Sequence, residues 1–182
     1  MGTTPALFRT GNARTGGGGA GSGGINVIVG KMNGVNEAII DAEGWTIKAT
    51  GNVTVEAGKE NDYSDSTVNV QSYDVTLGGL TGYANVVLAY NTARNNAIVK
   101  GLDGKLELTG DLIVNAYGYT AARSYGYTAN IAAAALGATV VYSKLNSVQR
   151  AIIDTTADIK ARCIKVLSEQ NSERMHKPST WT

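Results

Sequence analysis

The chain has 182 residues, of which 23 are Gly, 2 Pro, 1 Phe and 1 Cys; 16 basic and 15 acidic side chains leave a formal charge of +1. Such scattered, balanced charge lacks the clustered basic face of a nucleic-acid binder, and a single cysteine excludes an internal disulfide or a cysteine-based zinc site. No apolar run reaches the roughly 18 to 20 residues of a membrane-spanning helix, and the first residues lack the apolar stretch of a secretory signal.

Residues 1–22 are rich in Gly, Thr and Arg with little to bury, and are expected to form a flexible lead-in. From Gly23 onward apolar and polar residues alternate in short runs: Ile25 to Val29, Trp45 to Ala49, Val53 to Ala57, Thr67 to Val70 and Tyr73 to Leu77. Further runs follow at Ala84 to Tyr90, Lys105 to Leu108, Asp111 to Val114, Ala138 to Tyr142 and Ile164 to Leu167. A period of two in segments rich in Val, Ile, Thr and Tyr predicts strands. Asn33-Gly34, Glu43-Gly44, Gly51-Asn52, Gly78-Gly79, Asp103-Gly104 and Gly110-Asp111 supply the corners between them.

The segment Gly23 to Ala57 recurs at Gly82 to Ala116 and, more loosely, from Gly137 to Leu167. Ala38-Ile39-Ile40-Asp41 aligns with Ala97-Ile98-Val99-Lys100 and Ala151-Ile152-Ile153-Asp154, giving spacings of 59 (97 minus 38) and 54 (151 minus 97). Repeats of this size mark architectures whose units bury their apolar faces only by stacking. Corners this frequent leave no room for helical crossovers over residues 44–116, so a β-solenoid is expected in preference to an antiparallel sandwich, which has no need of repetition. Each period suits two or three coils of about 20 to 25 residues. The repeat region is placed at 23–168, in copies of about 23–81, 82–136 and 137–168, followed by a polar tail at 169–182. By periodicity alone residues 144–170 resemble an amphipathic helix; the alignment assigns them to strands instead, with Arg162-Cys163 standing where the other copies turn at Gly51-Asn52 and Gly110-Asp111. Open strand edges at the ends of such a stack predict end-to-end association.

The Asn130 to Val141 segment, the Ala151-Ile152-Ile153-Asp154 unit and strands of the Gly51 to Ala57 type resemble the repeat regions of large leukotoxin-like filamentous adhesins and haemagglutinin-like exoproteins of bacteria. The resemblance covers about residues 24–170. It implies an extracellular or cell-surface right-handed β-helix acting in attachment or host-cell damage, with a host-cell protein or glycan and the neighbouring repeats as partners. It carries no catalytic residues.

Candidate sites are sparse. Gly24 to Met32 superficially matches a phosphate loop but has five residues between its glycines and Met where Ser or Thr is needed. The Gly16 to Gly24 run follows no predicted strand, so no dinucleotide fingerprint is expected. His176 is the only histidine, and Cys163 has no His placed to activate it. Asp62, Asp65 and Asp74, close in sequence, are expected to be solvated loop charge; their spacing matches no calcium loop, and as a catalytic cluster they would belong to a β-helix polysaccharide lyase or glycoside hydrolase, the rival reading. Asp41, Lys100 and Asp154 occupy equivalent places in the three copies, and a change of sign there argues against a catalytic position. Tyr117, Tyr119, Tyr125 and Tyr127 would share one face of a continuous strand, either as a binding surface or as a ladder stacked between repeats, the latter being favoured. No enzyme activity, cofactor or metal is expected.

Overall fold

A computed structural model describes residues 9–60 and 67–181. These residues are all-β: eleven strands and no helix. In chain order they are β1 (Arg9–Met32), β2 (Val35–Asp41), β3 (Thr46–Ala49), β4 (Val53–Ala57), β5 (Thr67–Asn91), β6 (Arg94–Gly101), β7 (Lys105–Leu108), β8 (Leu112–Leu145), β9 (Val148–Thr155), β10 (Asp158–Lys160) and β11 (Ile164–Trp181). Every pairing is parallel, in three sheets: β1-β5-β8-β11 with β4 also on β8, β2-β6-β9, and β3-β7-β10.

The register is that of the repeats. Ala38 pairs with Ala97 and Ala97 with Ala151, offsets of 59 (97 minus 38) and 54 (151 minus 97). One repeat therefore makes one pass through all three sheets, where the sequence suggested two or three shorter coils. Gly82 pairs with Leu136, and Gly137 with Tyr83, one residue away from the sequence repeat, which sets Gly82 against Gly137. A Cβ on Gly137 would collide with the Tyr83 ring, so the glycine belongs beneath the aromatic residue.

Alternation along the strands builds one core shared by the three sheets. Val55, Ala57, Leu112, Val114 and Ala116 come from the first sheet, Ala97 and Val99 from the second, and Leu106 and Leu108 from the third. Ala38, Ile40, Ile47, Ala49, Ala151, Ile153, Ile159 and Ala161 continue the same columns in the first and third passes. Full burial of each Leu or Val stabilises the fold by about 1.5 to 3 kcal/mol.

The long strands fold back on themselves. Ser72 Oγ donates to Asn85 Oδ1 at 2.8 Å, and Val68 and Val70 pack with Val87 and Ala89, placing the bend of β5 at Gly78-Gly79. In β8 the hydroxyl pairs Thr120 with Ser147 (2.9 Å), Ser124 with Ser143 (2.7 Å) and Thr128 with Thr139 (3.1 Å) centre the bend between Ala133 and Ala134. The ladder lapses at that place, since Gly19 pairs with Gly78 and Gly21 with Leu80, while Ala20 and Gly79 pair with nothing in it. The Gly78-Gly79 corner thus lies within a strand, as the apex of an arch. The stacked arches share one apolar base formed by Met32, Val68, Val70, Val87, Ala89, Ala93 and Ala122. Beyond the base the interior is polar: Asn26 Nδ2 donates to Ser72 Oγ (2.6 Å) and Ser72 Oγ to Asn85 Oδ1, while Asn85 Nδ2 and Thr81 Oγ1 are buried without a hydrogen-bond partner among the described residues.

Two expectations about the ends are corrected. The flexible lead-in expected at 1–22 contains strand from Arg9, paired with β5 from Val68 onward, and the tail expected at 169–182 lies in β11 as far as Trp181, which pairs with Ala129. Backbone pairing on a neighbouring strand satisfies amide groups whatever the side chains, so a Gly-rich or polar segment can extend a parallel sheet without apolar burial. Residues 144–170 are strands β8 to β11 joined by short corners, as the alignment required.

Ion pairs stitch consecutive passes. Lys100 Nζ lies 3.2 Å from Asp41, Lys48 Nζ 2.8 Å from Glu107, and Arg162 Nε 2.9 Å from Asp111. Hydrogen bonds from these cations are the main reason that Asp41, Glu107 and Asp111 ionise below the usual carboxylate range. A folded-state value below the unfolded one gives stability that is present above the ordinary carboxylate range, near pH 4, and lost as pH falls through the lowered value. Thermal unfolding is expected to be level from pH 7 to 5 and to shift to lower temperature below about pH 4, with a smaller shift in Asp111→Asn.

Candidate interaction surface

Before its bend, even-numbered residues of β8 face inward: Leu112, Val114 and Ala116 enter the core, and Thr120 and Ser124 enter the arch. Tyr117, Tyr119, Tyr125 and Tyr127 consequently share the opposite face, but the structure divides them. Tyr117 and Tyr119 are 7% and 5% exposed. They lie where β8 runs past the gap between β4, whose Ala57 pairs with Ala116, and β5, whose Thr67 pairs with Ala121. The chain leaving β4 crosses close by: Gly58, at φ 79°, leaves no room for a Cβ against the Tyr117 carbonyl. Burial, reinforced by Glu60, Glu56 and Glu169, pushes the Tyr117 hydroxyl pKa up, and Tyr119 donates to Glu169 at 2.6 Å. These two rings are therefore packed against neighbouring elements and present little surface to the binding alternative, while the aromatic ladder, the favoured reading, is formed by other tyrosines.

Tyr125 and Tyr127 remain half-exposed. Their rings stack at 6.5 Å with an interplanar angle of 7°, and Tyr127 stacks on Tyr73 of the preceding pass at 4.9 Å and 10°. Tyr73 and Tyr127 are register partners, so this is an aromatic ladder between passes. The ladder leaves ring edges and hydroxyls at the surface: Tyr73 donates to Gln71 and Tyr125 to the Met175 sulfur, both at 3.2 Å.

The other arm of the arch carries a face that single residues did not announce. Ile25, Val27 and Val29 of β1 lie beside Ala84, Val86 and Leu88 of β5, and these beside Ala138, Val140 and Tyr142 of β8. Three parallel passes turn three ordinary alternating strands into a flat apolar grid, with Ile25 77% exposed at its rim. The signal was present in the sequence as matching outward positions of the aligned copies, but which of two alternating faces points outward depends on the fold-back.

Other sequence candidates are dispersed. Asp74 is 2% exposed inside the arch, while Asp62 and Asp65 lie outside the described residues. Gly24 to Met32 is part of β1, and Gly30 is needed because a Cβ there would collide with Val70. Cys163 is exposed at the corner before β11, and the His176 backbone pairs with Ser124. Among the described residues no group of three His, Cys, Asp or Glu is placed to hold a metal ion, and no helix is long and apolar enough to cross a membrane.

Comparison of the chain with protein-family models, with curated proteins and with solved structures finds no match.

Proposed function

We propose that the chain is a right-handed β-solenoid segment of a secreted or cell-surface bacterial filamentous adhesin or exotoxin, non-enzymatic, supplying a stacked shaft and a surface for attachment to a host-cell protein or glycan. One observation carries this reading: each sequence repeat lays one strand into each of three parallel sheets, at offsets of 59 (97 minus 38) and 54 (151 minus 97) residues. Parallel crossover connections are right-handed in nearly all cases, which supplies the hand. A stack of this kind extends by adding passes and offers long faces instead of an enclosed pocket, which suits adhesion. The attachment face is assigned to Tyr73, Tyr125 and Tyr127, whose rings combine large contact area with polar tips.

Binding of the purified chain to cultured epithelial cells and to a glycan array tests the assignment. Tyr125→Ala with Tyr127→Ala is expected to weaken attachment about tenfold or more while the chain stays folded. Tyr117→Ala with Tyr119→Ala is expected to lower the melting temperature instead. Loss of stability without loss of attachment in the first pair would mean an inert spacer, and release of reducing or unsaturated sugars from polysaccharides would replace the adhesin reading with the lyase or hydrolase one.

A further inference from the structure

In a parallel in-register stack each outward position recurs one pass later, about 4.8 Å away, so each column of side chains brings like or unlike groups face to face. Two charged columns alternate in sign. Asp41, Lys100 and Asp154 form one, and Lys48, Glu107 and Lys160 form the other. The alternation is used: Lys100 bonds Asp41 at 3.2 Å, Lys48 bonds Glu107 at 2.8 Å, and Lys160 also helps to hold Glu107 ionised. A third column runs Glu37, Asn96, Arg150, with Asn96 Nδ2 donating to Glu37 at 2.9 Å.

The last members of these columns, Arg150, Asp154 and Lys160, are exposed on β9 and β10, which among the described residues carry no strand on their far side. We propose that this edge docks a further parallel β-pass selected by charge, with a cation over Asp154 and carboxylates over Lys160 and Arg150. The second pass, with Lys100 and Glu107, has the required polarity at Asp154 and Lys160. The first pass, with Asp41 and Lys48, has the opposite one. A second copy of this chain stacking in register through its own first pass would set Asp41 against Asp154 and Lys48 against Lys160, like on like. The edge of β2 and β3, which presents Asp41 and Lys48, asks for the same neighbour. Open edges alone predict indiscriminate end-to-end association; the charge columns discriminate against it and direct the edge to a partner pass of second-pass polarity. The inference rests on the stacked reading above and is independent of what the shaft attaches to.

The test measures fluorescence anisotropy of a labelled peptide spanning Arg94–Leu108, titrated with the whole chain at low ionic strength, where surface charges are least screened. Its control is the same peptide carrying Lys100→Asp and Glu107→Lys. The unaltered peptide is expected to bind at least fivefold more tightly, with the difference closing in about 1 M salt. The difference is also expected to close against a chain neutralised by Asp41→Asn, Lys48→Gln, Asp154→Asn and Lys160→Gln, since exposed neutral substitutions leave the core intact. Equal binding of the two peptides, or binding of neither, overturns the proposal when hydrogen exchange finds the β6 and β7 amides protected. Unprotected β6 and β7 amides would instead sink the stacked reading and this inference with it.

Discussion

Leu106→Ala is expected to destabilise the chain by about 2 to 5 kcal/mol, the range for removing a fully buried leucine from a core that cannot collapse around the gap. Leu106 is completely buried in β7, between its register partners Ile47 and Ile159, where all three sheets meet. Its neighbours have little freedom to close the space. The backbone of β7 is hydrogen-bonded to a strand on each side, and core residues of the other two sheets are held in the same way. For a chain of this size, each kcal/mol lowers the melting temperature by about 2 to 4 °C, so a fall of roughly 4 to 20 °C is expected. Thermal and urea unfolding followed by circular dichroism provide the measurement. A change below about 1 kcal/mol would contradict a single core shared by the three sheets.

Gly110→Val is expected to cost about 2 to 3 kcal/mol through a different cause, backbone collision instead of a lost contact. Gly110 occupies the corner between β7 and β8, and a Cβ there would strike the Gly51 carbonyl group and the Asn52 side chain of the pass beneath. That backbone cannot step aside. Gly51 is itself in a left-handed turn at φ 99°, Gly110 N–H donates to its carbonyl at 3.0 Å, and Arg162 N–H donates to the Gly110 carbonyl at 2.8 Å. The collision would also disturb the corner above, where Asp111 N–H donates to Asn52 Oδ1 at 2.9 Å and the Asp111 carboxylate takes Arg162. Gly34→Ala is the control, because a Cβ there meets nothing within 4 Å and the backbone is not left-handed; its expected change is within about 0.5 kcal/mol. Equal effects at Gly34 and Gly110 would mean that the corners do not stack as described.

Much of the local structure was legible from the residues. Alternation identified the strands, and Asn33-Gly34, Glu43-Gly44, Gly51-Asn52, Asp103-Gly104 and Gly110-Asp111 all mark breaks between them. The alignment of Ala38, Ala97 and Ala151 is the observed register, and it overrode the helical spacing between Val148 and Val166, where propensity alone would have misled. The arches were not legible. Nothing local distinguishes Gly78-Gly79 as an apex from an ordinary corner, because the fold-back is set by contacts such as Val70 with Val87, made only once the two arms face each other. The surface was read least well for the same reason: Tyr117 and Tyr125 have the same Tyr-Gly-Tyr-Thr context, yet the first lies against the gap between β4 and β5 and the second on an open arm.

By itself, then, the sequence determined the strand-forming pattern, the repeat and the register, because a period of two and a recurring set of turn residues are properties of neighbouring positions along the chain. The tertiary structure alone decided which of two alternating faces is buried, that each repeat makes one pass with an arch, and that Lys100 bonds Asp41 across the passes. The stacked passes depend on residues 54 to 59 positions apart, and the arches on residues 11 to 27 apart, coming within contact distance, and no local preference encodes either meeting.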